Sequence, residues 1–291
     1  MTSALSEVGR LGAVLVKHAR DAFVSQETID AQWKSLNFTG PPDFSLALAE
    51  YDRFLEVVAT SGARISSLPR NEQLNLDSIY TRDASVVCSE GIILCSMGKD
   101  ERGPEPAEQE RVLQNGTWPI AGRIVKPGLL EGGDLIWLDS RTVAVGSGRR
   151  TNAEGIRQLR TILGDSVDEL LQVRLPDWRG PQDVMHLMSL VSPVDVNLAV
   201  VYSRLLPGSL RDELLGRGYQ LVEVPDDEFE TMGTNVLALG PRLCVMLKGN
   251  PRTRAALERA GAAVHEYEGS EISLKGGGGP TCLTRPLGRS A

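Results

Sequence analysis

Cysteine is scarce in this chain: there are four in 291 residues, Cys88, Cys95, Cys244 and Cys282, and none forms a Cys-x-x-Cys pair. Neither a zinc site nor a disulfide framework is indicated, and no metal or cofactor is expected. Long apolar runs are missing too. No stretch reaches the roughly 20 residues that span a bilayer, and Met1 to Arg10 lacks the basic-then-apolar layout of a leader, so a cytoplasmic protein without membrane contact is expected. Lysine and arginine nowhere cluster, and the net charge is −7. Nucleic acid and anionic membranes, which demand a basic footprint, are disfavoured as partners, whereas a cationic small molecule suits the balance. Low-complexity tracts are absent, and the apolar fraction of 41% suffices for a sizeable core. One domain over residues 1–291 is expected, and whether it forms a homo-oligomer is left open.

What the chain does contain is a period. Glu131-Gly-Gly-Asp134 leads into Leu135 to Leu138, a turn, Thr142 to Gly146, a helical stretch from about Asn152 to Leu163, and Leu170 to Arg174. That order reads as strand, strand, helix, strand. After Asp83 the unit returns as Ala84 to Cys88, Ile92 to Met97 and a helix near Pro106 to Gln114. After His186 it runs Ser189 to Ser192, Ala199 to Tyr202, helical Leu210 to Arg217, and Gln220 to Val224. After Asn235 it runs Val236 to Leu239, Leu243 to Lys248, a helix near Arg252 to Ala260, and Ala263 to Tyr267. A fifth copy is split: Cys282 to Arg285 supplies one strand, and Ala13 to Lys17, a helix near Phe44 to Thr60 and Ala63 to Ser67 supply the rest.

The leading residues Asp83, Glu131, His186, Asn235 and Cys282 stand 48, 55, 49 and 47 positions apart. Five ββαβ units, the last completed by both ends of the chain, predict a closed α/β propeller of five blades without exposed sheet edges. Equivalent positions of a ring converge on its axis. Two carboxylates, an imidazole, an amide and a thiol are therefore expected to face one another. Glycines flank three of them, at Gly132-Gly133, Gly233 and Gly276 to Gly279, and permit close backbone approach.

Singly, each residue has an ordinary reading. Cys282 alone is a small hydrophobe, His186 between Met185 and Leu187 a structural histidine, Asp83 a partner for Arg82, and Asp134 a turn-holder; His18 and His265 are left structural. Jointly, at corresponding points of five repeats, they describe a device for a planar cation. Two carboxylates, Asp83 and Glu131, fork onto guanidinium N–H groups by charge-assisted hydrogen bonds. The flexible run Gly276 to Pro280 presents Cys282 as a nucleophile, whose pKa a neighbouring imidazolium or the bound cation lowers. His186 is the acid and base, protonating the leaving nitrogen and later activating water. The expected intermediate is an S-alkylthiouronium on Cys282.

At these residues the sequence resembles the guanidine-modifying superfamily of dimethylarginine dimethylaminohydrolases, arginine deiminases and amidinotransferases, which share a five-bladed α/β propeller. The resemblance rests on Asp77-Ser-Ile-Tyr-Thr-Arg-Asp83, Glu131-Gly-Gly-Asp134, Val145-Gly-Ser-Gly-Arg-Arg-Thr-Asn152, His186-Leu187 and Gly276-Gly-Gly-Gly-Pro-Thr-Cys282. It implies Cys282 as nucleophile, His186 as acid and base, Glu131 and Asp83 as guanidinium binders, and Asp77 near the site. It also implies a grip on a substrate α-carboxylate by Arg150 and, as a weaker match, Arg102. Where arginine deiminases typically read His-x-Asp, this chain has Met188, which is expected to face an N-alkyl group and to favour the dimethylarginine hydrolases. Tyr80-Thr-Arg-Asp83 instead looks like the deiminase form. The expected activity is hydrolysis of an Nω-methylated or similarly substituted arginine to a citrulline-type product and an amine. Arginine deimination and amidino transfer are the alternatives, and a guanidinium-binding sensor is the non-enzymatic one.

Overall fold

A computed structural model of the chain describes residues 5–114, 118–178, 180 and 185–290; residues 1–4 of the expected leaderless start lie outside the described set. In chain order the first elements are β1 (Arg10–Val16), α1 (Ala19–Phe23), α2 (Gln26–Gln32), α3 (Phe44–Ala59) and β2 (Arg64–Ser67). The next unit is β3 (Ser85–Cys88), β4 (Gly91–Leu94), α4 (Glu105–Gln114) and β5 (Ile120–Arg123). It is followed by β6 (Leu135–Trp137), β7 (Thr142–Ser147), α5 (Ala153–Leu163) and β8 (Glu169–Arg174). Then come β9 (Val191–Asp195), β10 (Leu198–Val201), α6 (Gly208–Gly216) and β11 (Gln220–Glu223), with the short α7 (Asp226–Phe229) after them. The last are β12 (Val236–Gly240), β13 (Leu243–Leu247), α8 (Pro251–Arg259), β14 (Ala263–Tyr267) and β15 (Arg285–Ser290).

These strands form five three-stranded sheets of one design: an inner strand, an antiparallel middle strand and a parallel outer strand reached through a helix. The split blade obeys the same rule. β15 pairs antiparallel with β1, Arg10 opposite Ser290, and β1 pairs parallel with β2. The parallel step needs a crossover, which is why each unit spends a helix between its second and third strands.

The helices follow from amphipathic spacing and local caps. α5 buries Gly155, Ile156, Leu159 and Leu163, one stripe at helical period, while its other face is solvated. Asn152 starts it by accepting from the Gly155 N–H at 2.8 Å, and the same oxygen accepts from Leu129 N at 3.0 Å. Asp43 caps α3 through Leu46 N, and α3 buries Ala47, Tyr51, Phe54 and Val58.

The apolar core lies in the interfaces between blades, since polar groups occupy the axis. Ile93 and Val86 meet Leu135, Val145 and Leu159; Ile136 and Ala144 meet Leu187, Val191 and Ala199; Val194 and Val200 meet Val236 and Met246. Leu237 and Val245 meet Val14 and Phe54, and Leu15 and Leu287 meet Ile92 and Leu94. Five clusters thus serve five interfaces.

Two local expectations need correction, and one strand was not foreseen. Residues 282–284 are a turn rather than strand, with β15 beginning at Arg285, because Thr284 Oγ1 donates to Pro280 O at 2.9 Å and Leu283 N to Gly279 O at 3.1 Å. Leu187–Ser189 is a 3₁₀ turn ahead of β9, closed by Ser189 N on His186 O and by His186 N on Ser189 Oγ. β5, whose Ile-Ala-Gly-Arg carries no clear apolar pattern, went unanticipated.

Candidate active site

Each leading residue ends up in the turn that feeds its inner strand. Glu131 and His186 are the residues just before the 3₁₀ turns Gly132–Asp134 and Leu187–Ser189. The turns are then stitched to one another around the axis. Arg82 N donates to Cys282 O at 3.2 Å, and Gly132 N to Asp83 O at 2.9 Å. Leu187 N donates to Asp134 Oδ1 at 3.0 Å, Val236 N to Ser192 Oγ at 3.2 Å, and Thr281 N to Asn235 Oδ1 at 3.0 Å. Every neighbouring pair of blades shares one such bond, so the five leading residues are fixed relative to one another. Asp134, expected to hold its own turn, instead uses its side chain to hold the turn of the next blade through Leu187 N.

Asp83, His186, Asn235 and Cys282 line one cavity of about 270 Å³, with Asp77, Arg102 and Arg150 on its wall. Glu131 lies behind them, fully buried. Its Oε2 meets His186 Nε2 at 2.7 Å, while its Oε1 accepts from Gly98 N at 2.8 Å and from Arg150 Nη1 at 3.3 Å. Burial alone opposes ionisation of Glu131, but the hydrogen bond and charge of His186, with Arg102 and Arg150, hold its carboxyl down at about 2. The reciprocal holds for the imidazole. Burial disfavours its charge, yet Asp83, Asp134 and Glu131 together raise His186 to about 9. His186 is therefore an imidazolium at neutral pH, a proton donor held at a fixed angle.

Asp83 is the second carboxylate. Oδ1 accepts from Gly133 N at 3.1 Å and sits 3.8 Å from His186 Nδ1; Oδ2 takes Arg102 Nη1 at 2.6 Å. Arg102 also forks onto Glu105 at 2.7 and 2.8 Å and donates to Tyr80 O at 2.9 Å. Four of its five N–H groups are thus committed to the protein, and it acts on the cavity as a brace for Asp83. Asp77 is paired with Lys99 at 2.6 Å. Arg150, with its side chain 14% exposed, is the arginine that faces the cavity with donors to spare.

Asp83, Glu131 and His186 bring donor atoms within 4.8 Å of one another, as a metal site would require. Those same carboxylates already carry Arg102 and Arg150, cations that a divalent ion would have to displace. The donor set fits an imidazolium and a guanidinium better than it fits a metal.

Cys282 is built differently from the other three cysteines, which are buried outright. Its Sγ has Asn235 Nδ2 at 3.5 Å and Thr281 Oγ1 at 3.8 Å as polar neighbours. Burial and the charge of Asp83 raise its pKa, while the Thr281 and Asn235 contacts work the other way. The loop before it requires glycine. A Cβ at Gly276 would overlap the Tyr80 hydroxyl and the Phe38 ring, one at Gly278 the Tyr80 ring, and one at Gly279 would strike Asn235, while Gly277 has φ +79°. Tyr80 Oη, donating to Ile272 O at 3.2 Å, pins the ring beneath that loop.

Two expected contacts are not the ones the geometry shows: Glu131, expected on the guanidinium, lies behind the cavity on His186, and Arg102, expected at an α-carboxylate, is spent on Asp83, Glu105 and Tyr80. A third expectation fails. Met188 does not reach the cavity: it is 4% exposed within the cluster of Leu187, Leu190 and Val191, because the 3₁₀ turn after His186 rotates it into the blade interface and leaves Ser189 on the cavity wall. Sequence reasoning also missed Lys99, and it named Tyr80 within the Asp77–Asp83 motif without giving it a role. Lys99 follows Gly98, whose N–H donates to Glu131 at 2.8 Å, a link that only the folded chain shows.

A family model described as N,N dimethylarginine dimethylhydrolase, eukaryotic, matches residues 23–289. The chain belongs to this dimethylarginine dimethylaminohydrolase family. Within reach of the same family lie an uncharacterized protein, YkgA, of Bacillus subtilis, 30% identical over 82% of this chain and 79% of its own length, and the N(G),N(G)-dimethylarginine dimethylaminohydrolase of Pseudomonas aeruginosa, 28% identical over 84% and 90%. Among solved structures, a cysteine-to-serine mutant of the Pseudomonas aeruginosa dimethylarginine dimethylaminohydrolase complexed with citrulline superimposes with a TM-score of 0.76, covering 94% of this chain and 98% of that one at 24% identity. The amidinotransferase SxtG of Microseira wollei superimposes at 0.77, over 100% and 98%, with 15% identity. These structures share the fold of a dimethylarginine dimethylaminohydrolase family member, five sheets of three strands about an axis.

Proposed function

We propose that this protein hydrolyses a C–N bond of an Nω-methylated or closely related substituted arginine, releasing an amine and a citrulline-type product. The observation that carries the reading is one cavity lined by a thiol, by an imidazolium locked to a buried carboxylate, and by a second carboxylate. The family membership supports it, and so does the name of the Pseudomonas aeruginosa relative. A cavity of about 270 Å³ suits a free amino acid rather than a peptide, lying just under the roughly 300–1,000 Å³ of drug-sized sites.

In this reading Asp83 and Asp77 receive the guanidinium, and Arg150 receives the α-carboxylate. Arrival of the cation offsets the burial that keeps Cys282 protonated, so the thiol gives up its proton to solvent and the thiolate forms where the electrophile is held. Sulfur attacks the guanidinium carbon and His186 gives its proton to the departing amine as the C–N bond breaks. Glu131 keeps the ring oriented through both halves of the cycle. Neutral His186 then takes a proton from water as hydroxyl adds to the thiouronium carbon, the C–S bond breaks while the hydroxyl proton passes to solvent, and the ureido product leaves with the thiolate restored. Asn235, donating toward sulfur and holding Thr281, positions the nucleophile. An unpaired cysteine nucleophile working on a free amino acid derivative suits a reducing compartment, the cytoplasm.

The test is a panel of guanidines: arginine, its mono- and dimethylated forms, and simpler guanidino acids, with amine and ureido product measured for each. Ammonia from arginine alone reassigns the protein to deimination, a reading to which the 25%-identical arginine deiminase of Listeria welshimeri lends weight. A new guanidine formed when glycine or another amine is supplied indicates amidino transfer. Ligand binding without turnover or a covalent adduct on Cys282 indicates a sensor.

A further inference from the structure

Outside the cavity lining, the inner strands and the turns that feed them enclose a second polar cluster of opposite character. Arg82, Arg285 and Arg289 are 1%, 5% and 5% exposed. Among the described residues, one carboxylate stands in ion-pair range of these three guanidinium groups, Glu7, with Oε2 3.5 Å from Arg82 Nη1. Backbone oxygens take part of the donor set. Arg82 Nε reaches Thr281 O at 2.9 Å, Arg285 Nη2 reaches Arg82 O at 2.7 Å, and Arg289 reaches Gly9 O and Ala238 O at 2.6 and 2.9 Å. Arg82 Nη2, Arg285 Nε and Arg289 Nε remain buried without a hydrogen-bond partner.

Buried cations in excess of their counter-charges are costly, and so is each unpaired N–H. Burial pushes Arg285 down to about 9 and Arg289 to about 10, the direction expected of guanidinium groups short of negative charge. All three arginines, with Ser6 and Glu7, line one small void of about 20 Å³. A space that size admits a single occupant little larger than a water, which requires about 10–15 Å³ on the same measure. Phosphate, sulfate or a substrate carboxylate is too large. We propose that the Arg82–Arg285–Arg289 cluster is a binding site for one halide-sized monovalent anion, separate from the catalytic cavity.

The site has structural reach. Arg82 precedes Asp83 in sequence, Arg285 Nη2 lies where a Cβ on Gly132 would go, and Arg82 holds the carbonyl of Thr281 beside Cys282. An anion there steadies three of the five turns from behind.

The experiment uses the full chain, with chloride titrated against gluconate at constant ionic strength and thermal unfolding as readout. Anion binding to the folded state alone raises Tm saturably, by about 3–6 °C for each tenfold gain in the folded-to-unfolded ratio in a protein of this size. Bromide is expected to match chloride and sulfate to do nothing. Glu7→Gln removes the competing carboxylate without touching the arginines, so the chloride midpoint should fall about fivefold. Bromide soaked into crystals should show its anomalous signal between the three guanidinium groups. Superimposable chloride and gluconate series, an unmoved midpoint in Glu7→Gln, or an adventitious ion only, bound elsewhere, would each overturn the proposal. None of these outcomes bears on the hydrolysis reading.

Discussion

A thiol that is protonated in the empty protein and a histidine that is protonated there too divide the labour at the scale of single residues. Because His186 sits at about 9 and must donate a proton, activity should fall as pH climbs through about 9, giving a bell with an acid limb set by deprotonation of Cys282 in the complex. A flat profile from pH 5 to 10 would contradict the Cys–His assignment. Glu131→Gln removes one of the negative charges that hold the proton on His186, so the falling limb of its residual activity should move to lower pH. An unmoved limb would show that Glu131 does not set the imidazole's charge. Cys282→Ser should abolish turnover while substrate still binds, and acid-quenched wild-type protein should carry a covalent adduct that the variant lacks, read by mass spectrometry. The chemistry of these residues was legible in the sequence because each recurs at one point of a repeat. The side of the chain they face was not: Met188 lies two residues from His186, yet a single 3₁₀ turn sends it into the core and gives its place on the wall to Ser189.

Among elements, helices and inner strands could be read wherever apolar spacing was strong, as in α5, and failed where side chains compete with the ladder. Thr284 and Ser189 hydroxyls bond to nearby backbone and turn expected strand into tight turn. β5 stayed hidden since its half-buried Ile-Ala-Gly-Arg relies on pairing with β4 rather than on its own pattern. The glycine loop makes the sharpest prediction at this scale. Gly278→Ala drives a methyl into Tyr80, displaces Cys282, and should cost about 100-fold in kcat/KM with little change in fold by circular dichroism. Asn152→Ala, which uncaps α5 and releases Leu129, should lower stability by about 1–2 kcal/mol with activity retained below the new Tm, as chemical denaturation and a rate assay can show.

Taken whole, the molecule's pH response follows from one pair. The raised pKa of His186 contributes stability that is full below about 6.5 and is lost as pH rises through about 9; the lowered pKa of Glu131 contributes stability present above about 4.5 and lost as pH falls toward about 2. The pair therefore favours folding most strongly between about pH 4.5 and 6.5, and a wild-type minus Glu131→Gln comparison of unfolding free energies should narrow on either side of that window. The division of the apolar core into five interfaces carries a mechanical consequence. A stack of repeats can fray from its ends, but a hoop has none, so a weakness at any seam leaves slack that every other seam must share. Heat should accordingly open this molecule in one step, and a cavity cut at Leu237 between the fourth blade and the terminal one should loosen the grip on substrate as surely as one cut beside His186.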